Sequence, residues 1–427
     1  MSRNELLAAS SLLVLALASG LTVARAAEVK AIVGARIFDG TGGPVLEHGT
    51  LLIQDGKITA IGESKKIKPP AGARIIKLEG KTITPGLINA HGHVSDVENQ
   101  NTGATDERVI RQLGVFARYG ITTVLSLGGE EPAAFQVRNT QDTASLERAR
   151  IYVAGPVITG KVPEEARRMV DKVADLHPDY IKIRVDDNLG TTRKITPDVY
   201  RAVIDQAHQR GLRLFVHYFY LDDAKDLLRS GADMLAHSVR DKEVDEEFIG
   251  LVKKRDIPYC PTLTRELSTF VYESSPTFFK DPFFLREANP QVVAQLQEPQ
   301  RQQAMHDSKA GQGYKAALPT AKRNLKKLAD AAVTIVMGTD SGATAARFEG
   351  YFEHLEMQMM ADAGLTPKQI LVAATGSSAR ALKLTSVGTL EPGKWADLNV
   401  FDQNPLEDIK NTETLRSVYV AGNELKR

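Results

Sequence analysis

The 427-residue chain has one cysteine, Cys260, so no internal disulfide can form and stability has to come from a buried core. It also lacks an excess of either charge, with 54 Lys and Arg against 53 Asp and Glu. That balance argues against nucleic acid or an anionic membrane surface as the partner, because either calls for a clustered basic excess. Uninterrupted hydrophobic runs are missing as well: the one candidate, Leu6 to Val23, is broken by Ser and Gly, where a spanning helix wants about 20 apolar residues. It reads instead as the middle of an export signal, with Arg3 in a short polar start and Ala24-Arg25-Ala26 as a small-x-small cleavage site. The processed chain is expected in the periplasm or secreted, free of the membrane, and without a lipid anchor because no cysteine flanks the site.

What the sequence does contain is two textures. Short alternating strands occupy Lys30 to Ile37, Gly49 to Gln54, Ile58 to Ile61 and Ala73 to Leu78, with Asp55-Gly56 as a hairpin signal. The same texture returns in Gly388 to Glu391, Ala396 to Phe401 and Ser417 to Leu425. Two half-sheets at opposite chain ends need partners, and one β-sandwich built from both satisfies them. Between them, strands and helices alternate. Strand candidates are Ile83 to Ala90, Thr122 to Leu127, Ile151 to Ile158, Tyr180 to Val185, Arg213 to Tyr218, Met234 to Val239, Ile257 to Thr262 and Val333 to Thr339. Eight β-then-α units point to an α/β fold, a (β/α)8 TIM-like barrel, with chemistry at the carboxyl ends of its strands. The expected division is a signal over 1–26, sandwich over 27–82, barrel over 83–384 and sandwich again over 385–427. A doubly wound open sheet is the competing architecture, but it does not account for where the polar residues fall.

Those polar residues sit at strand ends. His91 and His93 are one residue apart, so on a strand both face the same way and can grip one metal ion. His217 lies near the end of the fifth strand, His237 near the end of the sixth, and Asp340 closes the eighth. Lys182 is the lone lysine in an apolar strand core, where a buried ammonium is costly. Alone, each has a plainer explanation: a hydrogen-bonded core histidine, or a lysine reaching out of the strand end to water. Together, four of the nine histidines at converging strand ends outweigh coincidence.

These motifs resemble the amidohydrolase superfamily: T-P-G-L-I-N-A-H-G-H, D-Y-I-K-I, F-V-H-Y followed by S-G-A-D-M-L-A-H, I-P-Y-C-P-T-L, M-G-T-D-S-G, and A-A-T-G-S-S-A-R-A-L before G-T-L-E-P-G-K-W-A-D-L-N-V-F. Segment order is most similar to the imidazolonepropionase-related branch with its prolidase-like and carboxypeptidase-like dipeptidases. The resemblance implies two divalent metals, most plausibly zinc. His91 and His93 would hold the more buried one, and His217 and His237 the more exposed one. Lys182 is implied as a carboxylated bridging ligand (N6-carboxylysine), and Asp340 as ligand and proton-shuttling carboxylate. Two positions depart from the pattern: Ser126 stands where Asp is common, and Ala236-His237-Ser238 where Glu-His-Gly is usual.

The implied activity is hydrolysis of a C–N amide bond in a small N-acyl amino acid or dipeptide by metal-activated hydroxide. Tyr218 and Tyr220 are candidate donors to the developing oxyanion, Tyr218 being adjacent to a ligand, although a buried aromatic at the rim is an equal reading. Arg184, Arg240 and Arg265 compete for the substrate carboxylate. The long connection Arg265 to Leu318 carries many aromatics and reads as a lid, a dimer contact of a possible homo-oligomer, or a packed excursion. His354 reads as a surface helix residue, with a pocket position as the alternative. Hydrolysis of a cyclic amide, lactone or phosphotriester is the runner-up. A non-catalytic periplasmic binding module is the alternative from another class, which has no need of Asp340.

Overall fold

In a computed structural model, which describes residues 28–94 and 104–426, the two chain ends meet in one sheet. Its strands run in the order Asn423–Glu424, Leu415–Val420, Leu398–Phe401, Thr82–Pro85, Lys30–Ile37, Leu46–Gln54 and Lys57–Glu63, with Arg74–Lys77 also paired to Lys30–Ile37. The expected sandwich is thus a single eight-stranded sheet. Thr82–Pro85 makes it continuous, pairing with Arg36 and Ile37 on one side and with Leu398–Phe401 on the other. Ile32, Ile37, Leu51, Ile83, Leu398 and Val400 form its own buried core. The expected leader, Met1 to Ala26, lies outside the described residues.

The run Ile83 to Ala90, expected as one strand, is divided. Thr82–Pro85 belongs to the terminal sheet, and Leu87–Gly92 opens the α/β body. Gly86 sits at the division because a Cβ there would lie 2.0 Å from Thr122 Oγ1. Leu87–Gly92, Ile121–Ser126 and Arg150–Val153 form one parallel sheet. Ile181–Val185, Leu214–Tyr218, Met234–Ala236 and Tyr259–Cys260 form a second. Single bridges, not ladders, continue from them: Ile158 to Ile183, and Tyr259 to Ile335. Val333 to Thr339, expected as the eighth strand, bonds to Tyr259 through Thr334 O at 2.9 Å and Val336 N at 3.1 Å, and accepts from Ala90 N at Met337 O at 2.8 Å, but forms no regular ladder. The chain curls there because the N–H groups of Thr339 and Asp340 both turn onto His91 O, at 3.0 and 2.7 Å, with Asp340 at φ +63°. The parallel strands therefore form two sheets where a closed ladder of eight was expected.

Helices fall between the strands as their capping residues predict. Asp106–Arg118 starts at Thr105, whose side chain accepts from Arg108 N, and carries Asp106 and Glu107 in its first turn. Leu221–Ser230 stops at Gly231, which adopts φ +113°. The long connection breaks into short helices that pack on the body. Its aromatic side chains mostly meet one another and Tyr351: Tyr272 stacks on Phe279 at 5.7 Å, and Phe284 lies edge-on to Tyr351 at 5.0 Å. Among the described residues no helix is long and apolar enough to cross a membrane.

A buried ion pair ties the terminal sheet to the body. Arg150 Nε lies 2.9 Å from Asp397 Oδ2, both side chains almost fully enclosed. Arg150 also donates to Gln141 O at 2.7 Å and covers the Trp395 ring at 4.5 Å.

Candidate metal centre

His91, His93 and Asp340 bring one ligand atom each within 4.8 Å of one another. His93 Nε2 is 2.9 Å and His91 Nε2 3.2 Å from Asp340 Oδ1. The alternation of Leu87–Gly92 explains the pairing, and the strand end is crowded enough to demand glycines. A Cβ on Gly92 would lie 2.8 Å from Asn89 Nδ2, and one on Gly338 2.5 Å from Cys260 Sγ and 2.9 Å from His91 Cβ. The other histidines join in a chain of rings, with centroids 4.5 Å apart for His91 and His237 and 4.2 Å for His217 and His237. Lys182 Nζ completes the group, 3.4 Å from His91 Nε2.

Burial sets the electrostatics. Lys182 is pushed down to about 8 by burial, and His91 to about 3 by burial and by Lys182. Burial also holds the His217 and His237 rings well below the usual imidazole range. It would raise the Asp340 carboxyl, but the Arg347 guanidinium and the His91 and His93 rings outweigh it and keep it well below the carboxylate range. Neutral imidazoles and an ionised carboxylate are the forms that bind a cation.

Neighbours orient each ring. His217 Nε2 donates to Asp186 Oδ2 at 2.7 Å, which leaves Nδ1 as its free lone pair. His237 Nδ1 lies 2.6 Å from Thr262 Oγ1, and its Nε2 is buried without a hydrogen-bond partner. That orphaned nitrogen, in a ring of histidines beside a lysine and a carboxylate, is what a divalent cation would satisfy. His237, Thr262 and Asp340 all adopt positive φ, at +84°, +47° and +63°. Such strain in non-glycine residues gathers where the chain must turn a functional side chain inward.

The amidohydrolase family profile matches residues 82–425. The chain belongs to this family. Imidazolonepropionase of Geobacillus kaustophilus is 23% identical over 412 residues, covering 84% of each protein. Enamidase of Eubacterium barkeri is 26% identical over 207 residues, but the match spans only 52% of that protein and 45% of this chain. In fold, the chain is similar to a Xaa-Pro dipeptidase with methionine bound in its active site, at TM-score 0.72 and 21% identity over 94% of this chain and all of that one. It is also similar to a candidate prolidase from Bifidobacterium longum, at TM-score 0.75 and 24% identity over 94% and 95%. These support the fold; the family typically uses divalent metals.

In this member of the amidohydrolase family several supporting residues carried no sequence signal of their own. Asp186 is one. Glu353 is another: its Oε1 accepts from Asn89 Nδ2 and Ser341 Oγ at 2.5 Å and Thr339 Oγ1 at 3.0 Å, while Asn89 Oδ1 accepts from His91 N at 2.9 Å. Glu130 organises the loop under His93, accepting from Ser126 Oγ at 2.6 Å and Gly128 N at 2.8 Å, and Gly128 O faces His93 Nδ1 at 3.1 Å. Ser126, where Asp is common, therefore works with Glu130. Arg347 pairs with Asp340 Oδ2 and donates from Nε to Ser268 Oγ at 2.9 Å.

The expected substrate-facing residues lie less simply. Tyr218 is corrected. It follows His217 on the strand, so it faces the other way, fully buried, with its hydroxyl against Tyr259. It cannot serve as an oxyanion donor from there. Tyr220 spends its hydroxyl on Asp187 Oδ1 at 2.8 Å. Arg240 is locked inside, donating to Tyr218 O and Ser238 O and paired to Glu266 at 3.1 Å. Arg265 shares Glu266 at 3.0 Å and covers the Tyr314 ring at 4.1 Å. Arg184 stays at the exposed rim on Lys182's face of the strand, 3.5 Å from Asp186. His354 is neither a surface nor a pocket residue: it is fully buried, Nε2 donating to Tyr119 O at 2.8 Å.

Proposed function

We propose that the protein is a metal-dependent amidohydrolase cleaving the C–N bond of a small N-acyl amino acid or dipeptide, with the free carboxylate held by an arginine. The observation that carries this reading is the convergence of His91, His93 and Asp340 within 4.8 Å, with Lys182 and His237 against them. His91 and His93 would hold one divalent cation, and His217 through Nδ1 and His237 through Nε2 the other, most plausibly zinc. Lys182 would lie between the two as a carbamate. Its lowered pKa of about 8 leaves a fraction of neutral amine at pH 7, which can add to carbon dioxide and release a proton. The cations would lower the pKa of water from near 16 toward about 7 and polarise the scissile carbonyl. Asp340 takes the proton through Oδ1, the oxygen facing the histidines, and hands it to the leaving nitrogen. Asp186 holds the His217 ring in the required tautomer, and Thr262 orients the His237 ring. Export to the periplasm or beyond belongs to the same proposal and rests on Met1 to Ala26.

The test is metal content per chain of protein purified without added metal, alongside activity on a panel of dipeptides and N-acyl amino acids before and after chelation. About two metals, and amidase activity that chelation abolishes and zinc restores, is the expected result. A preference for phosphotriesters or lactones would overturn the substrate class. No bound metal, and none taken up with bicarbonate, would return the chain to the binding-module reading.

A further inference from the structure

The histidine cluster straddles a seam in the body. His91 and His93 come from the end of a strand in one parallel sheet, Lys182, His217 and His237 from strands of the other, and Asp340 from the turn after Val333 to Thr339. One helix, Tyr351–Asp362, bonds to both sides of that seam. Most of its residues are buried, and His354 anchors it away from the cluster, with Nδ1 2.9 Å from Thr412 Oγ1 and Nε2 donating to Tyr119 O at 2.8 Å. Glu353 and Glu356 are one turn apart on it, share a face and are fully buried. Glu353 serves the first sheet and the Asp340 turn: its Oε1 accepts from Asn89, Thr339 and Ser341, while Asn89 Oδ1 accepts from His91 N. Glu356 serves the end of the second sheet, where its Oε1 accepts from Leu263 N at 2.8 Å and its Oε2 from Thr264 N at 2.7 Å and Thr264 Oγ1 at 2.8 Å. Those bonds pin the turn begun by Thr262, at φ +47°, whose hydroxyl lies 2.6 Å from His237 Nδ1. Thr264 Oγ1 also lies 3.2 Å from Thr339 O, which joins this turn to the one before Asp340.

We propose that Glu353 and Glu356 are positioning residues that set the two halves of the centre against each other, Glu353 aiming His91 and Asp340, and Glu356 aiming His237. The inference rests on the metal-centre reading and deepens it. Both act through a neighbour: Glu353 through Asn89 and Ser341, Glu356 through the Thr262 turn. They accept in different ways, and that makes their roles separable. Glu353 receives all three donors on one oxygen, and its Oε2 is buried without a hydrogen-bond partner. A glutamine there keeps the accepting oxygen and places its NH2 where nothing was bonded. Glu356 places each oxygen on a backbone N–H. Whichever way a glutamine turns at that position, its NH2 faces an N–H donor, and a buried donor is left unpaired. Glutamine is thus tolerated at 353 and disruptive at 356, although both residues are buried glutamates on one helix face.

The experiment takes wild type, Glu353→Gln, Glu353→Ala and Glu356→Gln through two readouts, with urea unfolding beside them. Glu353→Met, which keeps the length and removes the acceptor, stands in if the alanine variant does not fold. In metal-free protein, long-range proton–nitrogen spectra of the histidine rings should show His237 shifted most in Glu356→Gln, His91 shifted most in Glu353→Ala, and both near wild type in Glu353→Gln. In cobalt titration against a chelator, Glu356→Gln and Glu353→Ala should each weaken binding by about tenfold or more, the scale set by loss of a residue that supports a ligand, while Glu353→Gln stays near wild type. A role confined to stability would lower the urea midpoint and leave ring signals and cobalt affinity unchanged, which overturns the proposal. Equal losses in Glu353→Gln and Glu356→Gln overturn it too. If the wild type takes up no cobalt, the metal reading fails on its own, and the ring spectra decide: separate shifts of His91 and His237 keep the positioning roles, and unmoved rings remove them.

Discussion

His217 gives its Nε2 hydrogen to Asp186 Oδ2 at 2.7 Å, and this one bond decides which nitrogen of the ring is left for a metal. Asp186 is itself held by Asn188 N at 2.9 Å. Burial would raise its carboxyl, but the bond and charge of His217, the Arg240 guanidinium and the Asn188 N–H together outweigh burial and keep it below the usual range. An ionised Asp186 thus fixes the ring's tautomer and its direction together.

Asp186→Asn should therefore weaken metal binding without removing a ligand. Loss of such a supporting carboxylate typically costs about tenfold to a hundredfold in affinity. Competition against a chromophoric zinc chelator reads it directly, and an affinity equal to wild type would show that His217 needs no help from Asp186.

Asp340→Asn separates catalysis from binding. The amide cannot take and return a proton, so turnover should fall by about a hundredfold to ten-thousandfold. His91, His93, His217, His237 and Lys182 remain, so metal content should stay near that of wild type. Retained turnover would remove Asp340 from the proton path.

The parts of this site legible in the sequence are those with a period or a setting. His91 and His93 announce themselves by spacing on an apolar strand, and Lys182 by being the lone lysine in an apolar strand core. Asp186, Glu130, Glu353 and Arg347 had neither: they stand in loops or on a helix among other charged residues, and only folding brings them under the histidines. Tyr218 was misjudged because adjacency in sequence means opposition on a strand. Ile83 to Ala90 looked like one strand although Pro85 and Gly86 interrupt it, and the change of sheet there is where a Cβ on Gly86 would meet Thr122. Val333 to Thr339 has the composition of a strand, but its end is drawn into the turn that presents Asp340.

The link between terminal sheet and body is open to a thermodynamic test. Asp397→Asn leaves the Arg150 charge buried, and breaking one partner of such a pair costs about 3–5 kcal/mol. Asp142, 3.7 Å from Arg150 but largely exposed, offers little compensation. Arg150→Met should also destabilise, and the double variant should lose less than the two single losses together. Additive losses in urea unfolding would mean that the two side chains do not act as a pair.

His354 makes a prediction about acid. It is fully buried between Tyr119 and Phe283, and burial lowers its pKa to about 4, against an ordinary 6.5. The folded state therefore binds its proton later than the unfolded chain does. The stability this neutral ring contributes is complete above about pH 6.5 and is lost as the pH falls toward 4, by about 3 kcal/mol over that window at roughly 1.4 kcal/mol per unit. His354→Gln keeps a side-chain N–H for Tyr119 O but cannot titrate. Between pH 7 and pH 4 the wild type should lose more stability than the variant, by about that amount, when both are unfolded in urea. Parallel curves would mean that the ring charges as readily inside the protein as outside, which its burial argues against.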